Sequence, residues 1–163
     1  MRVRSIRLIA VALAAGSMIA VPLAQSASAA GGATCSKATT VNNLAKFINT
    51  ATMSVCTNPA ATGGKGVMVT NFKNLKKITA TVKWNKTGTT TLSITQKKAT
   101  AAQISKCAKT VGKGASAASS SGVVTGGTGA ALKGIPKGSK FSETVCYSAK
   151  SVVSLYPGSK IVF

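Results

Sequence analysis

Between Lys77 and Thr95 the chain alternates apolar and hydroxyl-bearing side chains with a period of two, and this pattern restricts the fold more than any other. Ile78, Ala80, Val82 and Trp84 alternate with Thr79, Thr81 and Lys83, the mark of a strand with one buried face. Asn85-Lys86-Thr87-Gly88 supplies turn residues, after which Leu92 and Ile94 alternate with Thr91, Ser93 and Thr95. The stretch predicts a β-hairpin with an apolar face, a hydroxyl-and-lysine face and the single Trp at its tip. Similar short segments recur at Val67–Thr70, Gly122–Thr125, Phe141–Tyr147, Val153–Leu155 and Ile161–Phe163, separated by Gly, Pro and Ser turns. Short strands at this spacing suit a sandwich or a barrel. The expected form is all-β, an antiparallel sandwich-like domain. Val41, Leu44, Ala45 and Ile48 fall at i, i+3, i+4 and i+7 behind Thr40, which adds one short N-terminal helix. Lys97 to Gly114, with Lys97-Lys98 and with Lys106, Lys109 and Lys113 around Cys107, is the least readable stretch.

Charge sets a second bound. The chain holds 21 Lys and Arg against one acidic residue, a net charge of +20. All three Arg lie in the first seven residues, so everything beyond is Lys apart from Glu143, and His is absent. Self-repulsion on this scale opposes compaction, and covalent staples are expected. Arg2, Arg4 and Arg7, the apolar run Leu8–Leu23 and the small residues Ala27-Ser28-Ala29 read as a secretory signal peptide over residues 1–29. The apolar run is short of the roughly 20 residues a spanning helix needs, so no transmembrane segment is expected in the mature chain. Residues 30–163 form the expected single domain, secreted and extracellular or associated with the cell wall. Its four cysteines, Cys35, Cys56, Cys107 and Cys146, suit an oxidising compartment and allow three pairings. Cys35–Cys56 and Cys107–Cys146 are favoured because each pair brackets a coherent segment. Each bridge would contribute about 3–4 kcal/mol by the loop-entropy argument. Zinc is not expected, since there is no Cys-x-x-Cys and no His.

Val124-Thr125-Gly126-Gly127-Thr128-Gly129-Ala130-Ala131, Thr144-Val145-Cys146 and Val153-Ser154-Leu155-Tyr156-Pro157-Gly158-Ser159-Lys160 together resemble a loose set of uncharacterised small secreted actinobacterial proteins. The resemblance covers a third to a half of the chain. It implies secretion, a β-fold and a Cys107–Cys146 bridge, and it carries no catalytic residues.

The composition removes most catalytic chemistries. Without His there is no Ser-His or Cys-His pair, and one carboxyl cannot form a paired-carboxylate site. Lys86-Thr87-Gly88 lacks any Ser-x-x-Lys partner. Gly127-Thr128-Gly129 lacks the third glycine and the acidic partner of a dinucleotide loop. No enzymatic activity and no cofactor are expected. The lysines remain. Lys73, Lys76, Lys77, Lys83, Lys86, Lys97 and Lys98 cluster on and beside the hairpin as a candidate polyanion-binding surface that releases counterions on contact. The exported part has no Arg to read guanine and few aromatics to stack on bases, so sequence-specific nucleic-acid recognition is not expected. The expected function is non-specific electrostatic association with anionic cell-envelope polymers. The alternative is a structural or adhesive surface protein with no dedicated polyanion. Glu143 alternates with Phe141 and Val145, so it either points inward, pairs with a lysine or lies at a solvated edge. An inward acid also admits the chemistry of a Lys–Asn isopeptide crosslink. With so few carboxylates, the melting temperature is expected to be nearly flat from pH 7 to pH 2, falling at most by the contribution of one Glu143–Lys pair.

Overall fold

The computed structural model describes residues 32–148 and 153–163, so the signal-peptide reading of residues 1–29 lies outside the described residues. The strands are β1 (Thr34–Asn43), β2 (Ile48–Cys56), β3 (Lys65–Asn71), β4 (Ile78–Trp84), β5 (Gly88–Lys98), β6 (Ser116–Thr128), β7 (Lys140–Tyr147), β8 (Val153–Leu155) and β9 (Ile161–Val162). Each pairs antiparallel with its neighbour in sequence from β1 to β8, and β1 pairs in turn with β8 and β9. The result is a closed eight-stave up-and-down barrel. The all-β expectation holds, but the sandwich is replaced by a barrel. Period-two alternation is the same in both forms, and the pairing of the first strand with the last is what distinguishes them.

The eighth stave is split. β8 and β9 lie end to end between β7 and β1, separated by the turn at Tyr156–Ser159, whose Ser159 amide donates to the Tyr156 carbonyl at 2.9 Å. Ala33 and Phe163 complete the ring by exchanging two backbone hydrogen bonds of 3.1 and 2.8 Å.

The N-terminal helix is not formed. Thr40 to Asn43 continue β1, and Leu44–Lys46 makes only one 3-10 turn, capped by the Asn43 side chain at 3.1 Å, before β2 begins at Ile48. The residues at helical spacing cover no core: Val41 and Leu44 are 68% and 63% exposed. Strand phase wins because it turns Thr40 and Asn42 inward, toward the barrel. Helices occur elsewhere as α1 (Pro59–Thr62), α2 (Ala101–Val111) and α3 (Gly129–Gly134). α2 starts on a reciprocal cap in which the Thr100 hydroxyl accepts from the Gln103 amide and the Gln103 side chain accepts from the Thr100 amide.

The interior has two unlike halves. At the end carrying the β2–β3, β4–β5 and β6–β7 connections, α1 and α3 cover the opening, and the Asn58 side chain donates to the Gly134 carbonyl at 3.2 Å. Beneath them Trp84 packs edge-on against Phe163 with ring centroids 5.0 Å apart, and Phe163 meets Phe141 at 5.5 Å. The buried Trp84 indole donates to Thr90 Oγ1 at 2.8 Å, which satisfies its one polar atom. Met53, Val82, Leu92 and Val124 fill the remaining space. Gly66 makes room for the indole, since a Cβ there would lie 2.6 Å from Trp84 Cε3. At Gly122 of β6 a Cβ would lie 2.1 Å from the Ser93 carbonyl oxygen, so β5 and β6 can approach only over glycine.

Both disulfides match the favoured pairing. Cys35–Cys56 joins directly opposed residues of β1 and β2 with Cα atoms 4.0 Å apart. Cys107–Cys146 fixes α2 to the outer face of β7.

Gly66→Val is expected to push Trp84 out of the floor and cost about 1–3 kcal/mol, the usual range for overpacking. Chemical denaturation should show a lower midpoint, together with a red-shifted tryptophan emission in the folded baseline.

Candidate functional site

The seven candidate lysines are all exposed, but they do not form one patch. Lys73, Lys76 and Lys77 sit in the β3–β4 connection, where the Asn71 and Asn74 side chains each accept a backbone amide at 3.0 Å and hold the loop. Lys97 and Lys98 end β5. These five, with Lys46 in the 3-10 turn, belong to the end of the barrel opposite the floor. Lys83 and Lys86 go to the floor end instead, where they line a shallow depression with Lys65, Val67 and the edge of Trp84. A hairpin of one seven-residue and one eleven-residue strand carries its turn and its open ends to opposite poles of a barrel, so proximity in sequence does not become proximity in space.

The inner wall carries a second site. Above Trp84 and Phe141 the barrel is not filled: a cavity of about 330 Å³ remains, opening at the lysine-bearing end. Met68, Ile78, Ile94, Val145, Leu155 and Ile161 give it apolar walls. Thr40, Asn42, Asn49, Thr70, Ser120 and Tyr147 interrupt these with polar groups. Asn49 donates to Asn42 across the β1–β2 ladder at 2.7 Å. Leu44 and Leu75 stand at the lip, 63% and 72% exposed.

Glu143 faces this cavity. It lies opposite Ser120 in the β6–β7 register, in phase with Phe141, Val145 and Tyr147. The inward reading is therefore the observed one. Glu143 accepts a side-chain hydrogen bond from Ser120, and among the described residues it forms no salt bridge. Burial pushes its carboxyl up from an ordinary value near 4.5 to about 7, and the Ser120 bond offsets only part of that shift. Tyr147 is pushed up to about 12, first by burial and then by the nearby Glu143 charge. Sequence reasoning singled out Glu143 but not the hydroxyl and amide residues around it. Their signal was polar residues at inward strand positions, as at Thr40, Asn42, Asn49 and Thr70.

The scarcity of carboxylates predicts a melting temperature nearly flat from pH 7 to pH 2, whereas the raised Glu143 carboxyl predicts a rise as the pH falls. The folded-state value lies above the unfolded one, so the folded chain holds a proton that the unfolded chain has lost between about pH 4.5 and 7. Stability therefore rises as the pH falls through that window. The shift corresponds to about 3 kcal/mol, or a melting temperature of order ten degrees higher at pH 4.5 than at pH 8. Thermal melts at constant ionic strength should show the rise. Glu143→Gln should remove it and should exceed the parent in stability at pH 8.

Fold and site together define a disulfide-stapled, half-packed β-barrel with a cationic exterior and one acid inside. No protein-family model, curated protein or solved structure matches the chain.

Proposed function

We propose that this chain is a secreted, non-catalytic cationic barrel that associates non-specifically with anionic polymers of the cell envelope. One observation carries the reading: the only acidic side chain of the sequence points into the barrel. Among the described residues the lysines of the outer wall form no salt bridge with it, and only Lys97 and Lys160 share a groove with Glu143. Five of the candidate lysines plus Lys46 face one pole, and Lys65, Lys83 and Lys86 face the other, which suits a polymer that touches the molecule at several points. The two disulfides support export to an oxidising compartment. Among the described residues no helix is long and apolar enough to cross a membrane.

Anionic lipid headgroups are a second reading, favoured by one feature. Leu44, Phe47 and Leu75 are exposed on two adjacent connections tied by the Phe72 amide to the Phe47 carbonyl at 3.0 Å. They alternate there with Lys46, Lys73, Lys76 and Lys77. Apolar tips set among lysines suit an anionic membrane surface. A structural or adhesive role without a polyanion is the alternative to both.

Retention on a phosphate polymer should fall steeply with salt, because each neutralised phosphate releases counterions. Replacing Lys73, Lys76 and Lys77 by Gln should lower the log–log salt slope by about 2–3 on double-stranded DNA used as the probe. Leu44→Ser with Leu75→Ser should leave polymer retention unchanged and should weaken binding to anionic vesicles if lipid is the partner. Retention independent of salt, or absent at low salt, rejects the electrostatic reading.

A further inference from the structure

The chain has lysine in abundance, yet its single carboxyl is placed where no described lysine pairs with it. That carboxyl lies in the wall of a cavity that stays open at one end. An acid with no ion-pair partner among the described residues is destabilised in its ionised form by burial, and the Ser120 hydrogen bond offsets only part of that. A cationic guest would relieve that cost, and a guest of any other charge would not.

We propose that the open half of the barrel is a binding site for a small organic monocation, a primary ammonium on an apolar body, with its nitrogen at Glu143.

Three features argue for this chemistry. An ammonium has three hydrogen-bond donors and no acceptor. The Glu143 carboxylate, the Ser120 hydroxyl and the Tyr147 hydroxyl offer acceptors on one side of the cavity. Tyr147 is near enough for the Glu143 charge to act on its phenol. The opposite walls, from Met68 and Ile78, are apolar and suit a hydrocarbon body. The volume of about 330 Å³ lies at the small end of the range for ligand cavities, about 300–1,000 Å³.

The alternatives fit less well. An anion reaching the same depth would meet the carboxyl head on. A neutral guest would leave the carboxyl's burial uncompensated. A polyamine would bring its second charge toward Lys73, Lys76 and Lys77 of the β3–β4 connection, where like charges repel it. Binding requires the ionised carboxyl, so affinity follows its titration. Ser120 of β6 and Tyr147 of β7 share the inner wall with Glu143, as do Ala38 and Thr40 of β1, Leu155 of β8 and Ile161 of β9. Of these only Tyr147 titrates, and it stays neutral below pH 10. On the outer side, Lys97 and Lys160 share a groove with Glu143.

The test is calorimetric titration of the disulfide-intact chain in 0.15 M salt with hexylamine, hexanol and hexanoate as separate probes. Hexylamine is expected to bind one to one, about tenfold or more tighter than hexanol, with hexanoate weaker still. Its affinity should rise about thirtyfold from pH 5.5 to pH 8 as the carboxyl ionises. Glu143→Gln should abolish both the amine preference and the pH dependence while remaining folded. Ala51→Phe, which places a ring beside Met68 in the cavity wall, should abolish binding altogether. Should that variant fail to fold, the Met68 methyl resonance of the parent chain gives the same answer by shifting on hexylamine addition. The proposal is overturned if hexanol or hexanoate binds as well as hexylamine, if affinity is flat with pH, if Glu143→Gln binds unchanged, or if the Met68 methyl does not move.

Discussion

The barrel depends on one closure, the pairing of the first strand with the last. Each β-strand end of the chain supplies a short run to it: Thr34 and Cys35 meet Ile161 and Val162, Thr40 meets Val153, and Ala33 and Phe163 exchange backbone bonds. Without these contacts the sheet would expose two edges, and in so cationic a chain no network of surface ion pairs could blunt them. Closure satisfies every stave at once and turns the apolar face into an interior. Phe163 belongs to both events, since its backbone closes the ladder while its side chain supports Trp84.

Much of this was legible in the sequence, for physical reasons that can be named. The β4–β5 hairpin was readable because Ile78, Ala80, Val82 and Trp84 bury one face and leave the other to Thr and Lys. The disulfides were readable because the cysteines flank segments whose ends come together. Closure was not, because alternation reports which face is buried and says nothing about which strand lies at an edge. α2 went unread although Ile104, Cys107, Ala108 and Val111 fall at i, i+3, i+4 and i+7, and of its residues only Cys107 is buried. The clue to it was the Thr100-x-x-Gln103 cap. The region from Thr40 to Ile48 misled for the opposite reason, since a helical spacing of apolar residues arose where two strands meet at a tight turn.

The site was legible in part. Glu143 stood out as the only acid, and its phase with Phe141 and Val145 allowed an inward position. The cavity did not stand out, because it is made by residues too small or too polar to fill the barrel. Ala38, Thr40, Ala51 and Ser120 occupy inner positions at levels where the floor has Met, Trp and Phe. The lysines were visible individually, but only the strand directions reveal that they sort to two poles. The exterior and interior thus follow opposite electrostatic rules. Outside, lysines lie in water, where repulsion is screened. Inside, one carboxyl is largely withdrawn from bulk water.

The divided eighth stave has a mechanical consequence. β8 and β9 together supply five residues to a wall in which β6 supplies thirteen. The seam between β7 and β1 is therefore held by few cross-strand bonds, and it is stitched in the middle by a Pro-Gly turn instead of a ladder. Amide protons along that seam should be the first in the barrel to exchange with solvent, through partial opening that leaves the Trp84 floor intact. Because Glu143 lies beside the seam, such breathing gives the inner compartment a side door as well as its open mouth. Such opening requires neither the two disulfides nor the aromatic floor to yield.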